Sequence, residues 1–380
     1  MKDKMILALL LGIISFSGNA FAAVKPTEAI PSKILDVTLT RNKITSIPDV
    51  VYEQVPQRGY PSRAMKMDLF IPETKDKKPL ILYIPGGGFI SANKNNMPQL
   101  VNHLAEQGYV VAAVEYRVAP TVKFPAPLED IKAALRFLRA HQDQYGIDPQ
   151  RVGVVGGSAG GYLTALMATT SGSREFDKGD YLHEKSDITC AVDLYGLSDL
   201  TRIGADYSKQ VQALHASSGA TEALWVNGSG VFGGKDGGIS ADQKAAQQAN
   251  PITYISSTSA PLMLMHGTAD TVVSPSQTDI LFQALQKKKI PIERYLVPHA
   301  PHGGVYWIQP KVLEPITACF DRYLKGEATA EKKAVKNDGI WIPFISSQPL
   351  LLFQSLTKVY RAVRGIFSLK NKGKSSVKPQ

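Results

Sequence analysis

Residues 151–168 read RVGVVGGSAGGYLTALMA. An apolar run ends in Gly156 and Gly157, Ser158 follows, and an apolar-periodic stretch continues from Gly160 to Thr170. This is G-x-S-x-G set between a strand and a helix, the context that gives the pattern chemical meaning. Small neighbours let the chain turn sharply and leave the serine hydroxyl exposed at the tip of a sheet. A helix starting just after Ser158 also points unpaired N–H groups and the positive end of its dipole toward that hydroxyl. The competing reading is a glycine-rich turn, which the flanking strand and helix patterns disfavour.

Working outward, short apolar runs alternate with helical periods on both sides of this turn. Strands are expected over 50–55, 65–71, 80–84, 109–116, 151–155, 188–195, 261–266 and 292–297. Helices are expected over 96–106, 128–142, 160–170, 275–288 and 311–325. Most of the later strands are Val, Ile, Leu or Tyr throughout, as strands buried on both faces should be. Regular alternation of this kind means an α/β architecture: a mostly parallel sheet flanked by helices. One stretch, Leu197 to Ala249, interrupts it with the Gly-rich run NGSGVFGGKDGG at its centre. An insertion of that kind either caps a site or loops over the surface.

Four regions follow along the 380 residues. Residues 1–22 have the form of a secretory signal peptide: Lys2 and Lys4 precede an apolar stretch from Met5 to Phe16, and Ala20, Phe21 and Ala22 supply a small-x-small cleavage site. The apolar stretch falls short of the roughly 20 residues that a membrane span needs. Export to the periplasm or outside the cell is therefore expected. An extended lead is expected over 23–49, the folded domain over 50–326, and a linker with a basic amphipathic tail over 327–380. The net charge of +10 is concentrated in that tail, since residues 331–380 hold ten Lys or Arg against two acids. The remainder is nearly balanced, which argues against a nucleic-acid-binding face. Within residues 350–374, apolar and basic residues segregate at helical spacing. That pattern fits a helix lying on an anionic membrane surface, and equally one docking its apolar stripe on its own domain. Cys190 and Cys319 are the two cysteines. An oxidising compartment permits a bridge between them, two buried thiols is the plainer reading, and their spacing suits no familiar metal site.

A serine hydroxyl needs a base in hydrogen-bonding reach and an acid to orient that base. With a strand-turn-helix nucleophile, the acid and then the histidine follow in the chain. His302, in VPHAPHGG just past the last expected strand, is favoured over His299 because Gly303 and Gly304 give its loop room to turn. His266 ends a strand and reads as a hydrogen-bonded strand-end residue. Asp270, in HGTADTVVSPSQT, is favoured as the acid because its loop precedes the strand and loop bearing His302. Asp193 and Asp199 are alternatives, and either could instead be a turn or capping residue. A second glycine signal lies upstream, where LILYIPGGGFI (80–90) ends an apolar run in Gly86, Gly87 and Gly88. Three glycines in succession suit a backbone that something must approach closely.

Taken together, YIPGGGF, EYRVAP, FPAPLEDIKAALRFL, GGSAGGYL, NPITYIS, HGTADTVVSPSQT and PHGG occur in the order found in α/β-hydrolases. Over about 270 residues the chain resembles the esterases of that superfamily, namely the hormone-sensitive-lipase-like group and the bacterial acetylxylan and feruloyl esterase-like branch. The resemblance implies Ser158 as nucleophile, Asp270 and His302 as its partners, and the N–H groups of Gly87, Gly88 and Ala159 as an oxyanion hole. It also implies ester hydrolysis through an acyl-enzyme, with no metal or organic cofactor and a small-molecule ester as substrate. Three positions depart from the pattern: Pro85 where His is usual, Glu115 where Asp is usual, and Thr121 where Glu is common. An exported serine carboxylesterase acting on small or plant-derived acyl esters is therefore the expected function. A serine peptidase of the same fold and an inactive hydrolase-like surface-binding protein are the alternatives.

Overall fold

Eight strands form one sheet in the order β1-β2-β4-β3-β5-β6-β7-β8 in the computed structural model, which describes residues 32–57 and 60–326. They are β1 (Ile44–Gln57), β2 (Tyr60–Pro72), β3 (Lys78–Ile84), β4 (Val110–Val114), β5 (Ile147–Gly157), β6 (Cys190–Leu194), β7 (Leu262–Gly267) and β8 (Ile292–Val297). β1 and β2 pair antiparallel, as do β2 and β4, and every pairing from β4 through β3 to β8 is parallel. Residues 32–42 group apart from the rest of the chain and contain no helix or strand. The expected signal peptide, the linker and the amphipathic stretch 350–374 lie outside the described residues.

The helices are α1 (Pro98–Glu106), α2 (Ala126–Ala140), α3 (Gln142–Tyr145), α4 (Ala159–Thr169), α5 (Lys209–His215), α6 (Thr221–Asn227), α7 (Gln243–Gln248), α8 (Ser276–Lys287) and α9 (Pro310–Phe320). Strand alternation sorts them into two layers. From β3, Leu80, Leu82 and Ile84 face a core shared with Leu128 and Ile131 of α2, Leu163 and Leu166 of α4, and Leu281 and Leu285 of α8. Ile81 and Tyr83 face the opposite core, with Leu100 and Leu104 of α1 and Ile316 and Phe320 of α9. β3, β4, β6 and β7 are buried along their whole length, whereas β8, at the sheet edge, is half-exposed. That contrast explains why the central strands read as continuous apolar runs and IERYLV does not. α4 is buried at every residue, so the serine is mounted on a helix packed on all sides.

Local chemistry accounts for three of the boundaries that differ from where the sequence puts them. β1 begins at Ile44, inside the expected lead, because a register shift between Ile47 and Val50, with Asp49 at φ 55°, breaks the alternation there. β6 stops at Leu194 because Tyr195 takes φ 44°, which no strand residue can hold. α9 ends at Phe320 and passes into a π-helical turn over Asp321–Lys325. Two of the recognised motifs are also joined physically. Arg117 of EYRVAP forks onto Asp130 of FPAPLED, with Nη2 donating to Oδ1 at 2.6 Å and Nε donating at 2.9 Å, while the Arg117 N–H donates to Oδ2 at 2.7 Å. Asp130 is fully buried, so this pair locks the start of α2 to the segment leaving β4.

The Leu197–Ala249 insertion folds into α5, α6, α7 and short 3₁₀ turns. Its anchor is Trp225 of α6, fully buried with its ring 4.7 Å from Phe89 and 6.1 Å from Tyr162. The Trp225 indole N–H donates to the Tyr162 hydroxyl at 3.2 Å, and that hydroxyl donates to the Ala249 carbonyl at 2.6 Å. The insertion is thereby fastened both to the helix behind Ser158 and to the residue that follows the glycine triplet. Cys190 and Cys319 are both free and buried in the core that contains α9. Burial, reinforced by the neighbouring Cys319, pushes the Cys190 thiol well above its ordinary range.

Candidate active site

Five parallel strands deliver the site from their carboxyl ends, the edge where open α/β sheets bind ligands. Gly86–Gly88 follow β3, Ser158 follows β5, Tyr195 follows β6, Asp270 follows β7 and His302 follows β8. Ser158 sits at φ 57° and ψ −123°, a strained conformation for a residue with a side chain. Its N–H donates to the Leu194 carbonyl at 2.9 Å, and its carbonyl accepts the Tyr162 N–H at 2.9 Å. The sharp turn depends on backbone contact that only glycine permits. A Cβ at Gly160 would lie 2.1 Å from the Ile84 carbonyl oxygen, and one at Gly86 would lie 2.5 Å from that of Gly157. The serine turn and the glycine triplet are thus pressed backbone to backbone.

The three side chains expected to act together form one hydrogen-bonded chain. His302 Nε2 lies 2.8 Å from Ser158 Oγ, and His302 Nδ1 lies 2.7 Å from Asp270 Oδ2. Asp270 Oδ1 accepts the N–H groups of Val272 and Val273, both at 2.9 Å. Burial alone would push this carboxyl up, but hydrogen bonds from His266 and His302 outweigh it and hold Asp270 well below the usual carboxylate range. The aspartate therefore faces His302 ionised, which fixes the proton of that imidazole on Nδ1 and leaves Nε2 free to accept from the serine.

The remaining candidates fall elsewhere. His299 is exposed at φ 62°, and its backbone N–H donates to Thr268 Oγ1, just past β7. Asp199 accepts from the Thr201 N–H and hydroxyl and from Asn250, as a turn-capping residue does. Asp193 is fully buried, where one oxygen accepts the Gly196 N–H at 2.8 Å and the other has no partner among the described residues. Burial pushes its carboxyl up to about 8. A Cβ at Gly161 would come within 2.3 Å of Asp193 Oδ1, so this acid is wedged under the first turn of α4 rather than beside His302.

Among the described residues, the N–H groups of Gly87, Gly88 and Ala159 donate to no protein acceptor. Gly88 has φ 57°, the left-handed region that favours glycine, while a Cβ there would meet nothing within 4 Å. Conformation, more than clearance, therefore requires Gly88. Both flanks of the loop are tied down. The Tyr116 hydroxyl donates to the Pro85 carbonyl at 2.7 Å, and the Ala119 N–H donates to the Phe89 carbonyl at 3.0 Å. Pro85 thus holds its place through its carbonyl.

Three contacts around the acid escape sequence reading. His266, fully buried, places Nε2 3.2 Å from Asp270 Oδ2 and 2.9 Å from the Val273 carbonyl. Two oxygens at one ring nitrogen require it to carry the proton, so this second imidazole steadies the carboxylate that receives His302. Tyr207, from the insertion, donates its hydroxyl to the Asp270 carbonyl at 3.1 Å. Its neighbour Asp206 accepts from the hydroxyls of Ser274, in the same loop, and of Ser276, the first residue of α8. Only the four-residue spacing of His266 and Asp270 left a signal in the sequence. A cavity of about 560 Å³ opens over Ser158 and His302, with Tyr83, Met97, Tyr195 and Val272 among its walls.

Strand order, carboxyl-end placement and the serine turn together define an α/β-hydrolase fold. The BD-FAE family model matches residues 67–285, more than half of the chain, and the chain belongs to that family. Among curated proteins it is similar to the probable carboxylic ester hydrolase LipM of Mycobacterium tuberculosis, with 31% identity over 229 residues, 59% of this chain and 49% of LipM. The chain spans about half the length of the curated relatives it matches. Among solved structures, a truncated carbohydrate esterase from gut microbiota shares the fold with a TM-score of 0.63 at 23% identity, covering 74% of this chain and 96% of that one. An acetyl ester-xyloside bifunctional hydrolase from Caldicellulosiruptor lactoaceticus gives a TM-score of 0.51 at 26% identity, covering 72% and 88%.

Proposed function

We propose that this protein is an exported serine carboxylesterase that hydrolyses small acyl esters, acylated sugars of plant origin among them. The observation that carries the reading is the unbroken chain from Ser158 Oγ through His302 to Asp270, at 2.8 and 2.7 Å. Ser158 Oγ attacks the ester carbonyl carbon as His302 Nε2 takes its proton, and Asp270 stabilises the imidazolium that forms. The carbonyl oxygen becomes an oxyanion held by the N–H groups of Gly87, Gly88 and Ala159, each donor contributing on the order of 3 kcal/mol to lowering the barrier. His302 then returns the proton to the departing alcohol as the C–O bond breaks. Water, activated by His302, releases the acid from the acyl-serine in the second half.

Membership in the BD-FAE family and similarity to proteins named as ester hydrolases support the ester as substrate. The name of the Caldicellulosiruptor relative, which joins acetyl esters with xylosides, supports a sugar-borne ester. The leader-like residues 1–22 support export. Ser158→Ala is expected to lower kcat on p-nitrophenyl acetate by on the order of 10⁴-fold or more. Hydrolysis by that variant at the parent rate would sink the proposal. N-terminal sequencing of the mature chain should begin at Ala23, and a chain still beginning at Met1 would remove the export reading.

A further inference from the structure

Two phenols in the catalytic cavity have no part in the serine chemistry. Tyr83, near the end of β3, is 1% exposed and yet forms part of the cavity wall. Its hydroxyl is neither sealed off nor hydrogen-bonded to any described residue. Tyr195, 5% exposed, also lines the cavity, and its ring lies 4.9 Å from His302 and 4.4 Å from Trp307. The partner its hydroxyl finds is the Met97 thioether, Oη to Sδ 3.7 Å, a weak acceptor. The surrounding packing holds this corner in a strained backbone, with Tyr195 and Met97 at φ of 44° and 54°.

A buried hydroxyl without a good acceptor costs free energy that a phenylalanine of the same shape would not. Burial first, then the neighbouring Tyr195, raises the Tyr83 phenol, and burial likewise raises that of Tyr195. Both therefore remain protonated donors through the working pH range. Two such donors in the wall of the cavity that holds Ser158 call for an acceptor that arrives with the substrate. We propose that the Tyr83 and Tyr195 hydroxyls form a subsite for an oxygen atom, hydroxyl or ether, carried by the ester in its acyl or its alcohol part. This rests on the ester-hydrolase reading of the cavity and adds to it the kind of ester preferred. A site built to hydrogen-bond an oxygen rejects a methylene analogue strongly, because its donors are then left unpaired.

The test uses two pairs of esters that differ by one CH₂-for-O exchange. In the acyl arm these are p-nitrophenyl butyrate and p-nitrophenyl methoxyacetate; in the alcohol arm they are butyl acetate and 2-methoxyethyl acetate. For each arm, kcat/KM for the oxygenated ester is divided by that for its analogue, and the ratio for Tyr83→Phe is divided by the parent's. Intrinsic ester reactivity cancels in the double ratio. A drop of about tenfold or more in one arm is expected, and the arm that responds tells which part of the ester enters the subsite. Tyr195→Phe, checked for intact folding by labelling Ser158 with a fluorophosphonate, should lower the same arm. Double ratios near one for both variants in both arms would overturn the subsite while leaving the esterase intact. A parent inactive on all four esters would overturn the esterase reading and the subsite with it.

Discussion

The serine and the acid are held in place by opposite means. Ser158 is fixed by its immediate neighbourhood: a strand, a strained turn, and glycines that let the turn press on the Ile84 carbonyl and the triplet loop. Asp270 is fixed from far away in sequence. Tyr207 reaches its carbonyl across 63 residues, and Asp206 binds Ser274 and Ser276 across 68 and 70. Its local supports are His266, four residues upstream, and the N–H groups of Val272 and Val273 just downstream. A nucleophile carried by a rigid local motif can be recognised from a short stretch of sequence. The acid was also favoured from its own loop, HGTADTVVSPSQT, but its distant supports Asp206 and Tyr207 carry no such local signature.

The comparison can be broken most severely at the acid itself. Asp270→Asn keeps the shape but loses the charge that fixes the proton of His302, and is expected to lower kcat by about 10⁴-fold. A loss under tenfold in steady-state kinetics would remove Asp270 from the triad. Trp225→Ala attacks the anchor of the insertion and should cost about 3–5 kcal/mol in urea unfolding. If the insertion steadies the acid, this variant should lose kcat as well as stability; a stability loss with full kcat would show that the acid loop stands without it. Tyr207→Phe removes one hydrogen bond to Asp270 and should cost about 1 kcal/mol. Fluorophosphonate labelling of Ser158 should slow in this variant while the fold around the serine turn stays intact.

The serine side has a weakness of its own, in pH. Asp193 under α4 has its carboxyl raised from its ordinary value of 3.8 to about 8 in the folded protein. The folded state therefore binds more protons than the unfolded chain between those values. The resulting stabilisation is complete below about pH 4 and is lost as pH rises through 8. Melting temperature should accordingly decline from pH 5 to 9, and Asp193→Asn, which cannot ionise, should reduce that decline. An identical slope in parent and variant would show that Asp193 does not titrate in this range. The effect falls on stability and leaves kcat nearly untouched, since it alters the support of the nucleophile without touching the reacting atoms.

Residues with a strong local pattern were legible from the sequence. Every expected strand has a counterpart, but boundaries moved: β2 begins at Tyr60 rather than 65, β5 spans Ile147–Gly157 rather than 151–155, and a bulge at Asp49 and a positive φ at Tyr195 interrupt the alternation elsewhere. His302 could be favoured over His299 from its glycines alone, and the structure places it, not His299, between Ser158 and Asp270. The helices α5, α6 and α7 left no signal, because six or seven residues of mixed polarity are too few to establish a period.

The sequence by itself determined the parallel α/β scaffold and the serine turn, because each is written in residues close together along the chain, and it marked Asp270 and His302 as the acid and base to expect downstream. Tertiary structure alone decided that Trp225 would tie the insertion to Phe89 and Tyr162. It alone decided that Tyr207 and His266 would brace Asp270, and that Tyr83 and Tyr195 would bring their hydroxyls to the same cavity as Ser158. The physical reason is range. Propensity and periodicity act over a few residues, whereas a hydrogen bond or a packed ring depends on which distant segments the folded sheet brings within a few ångströms.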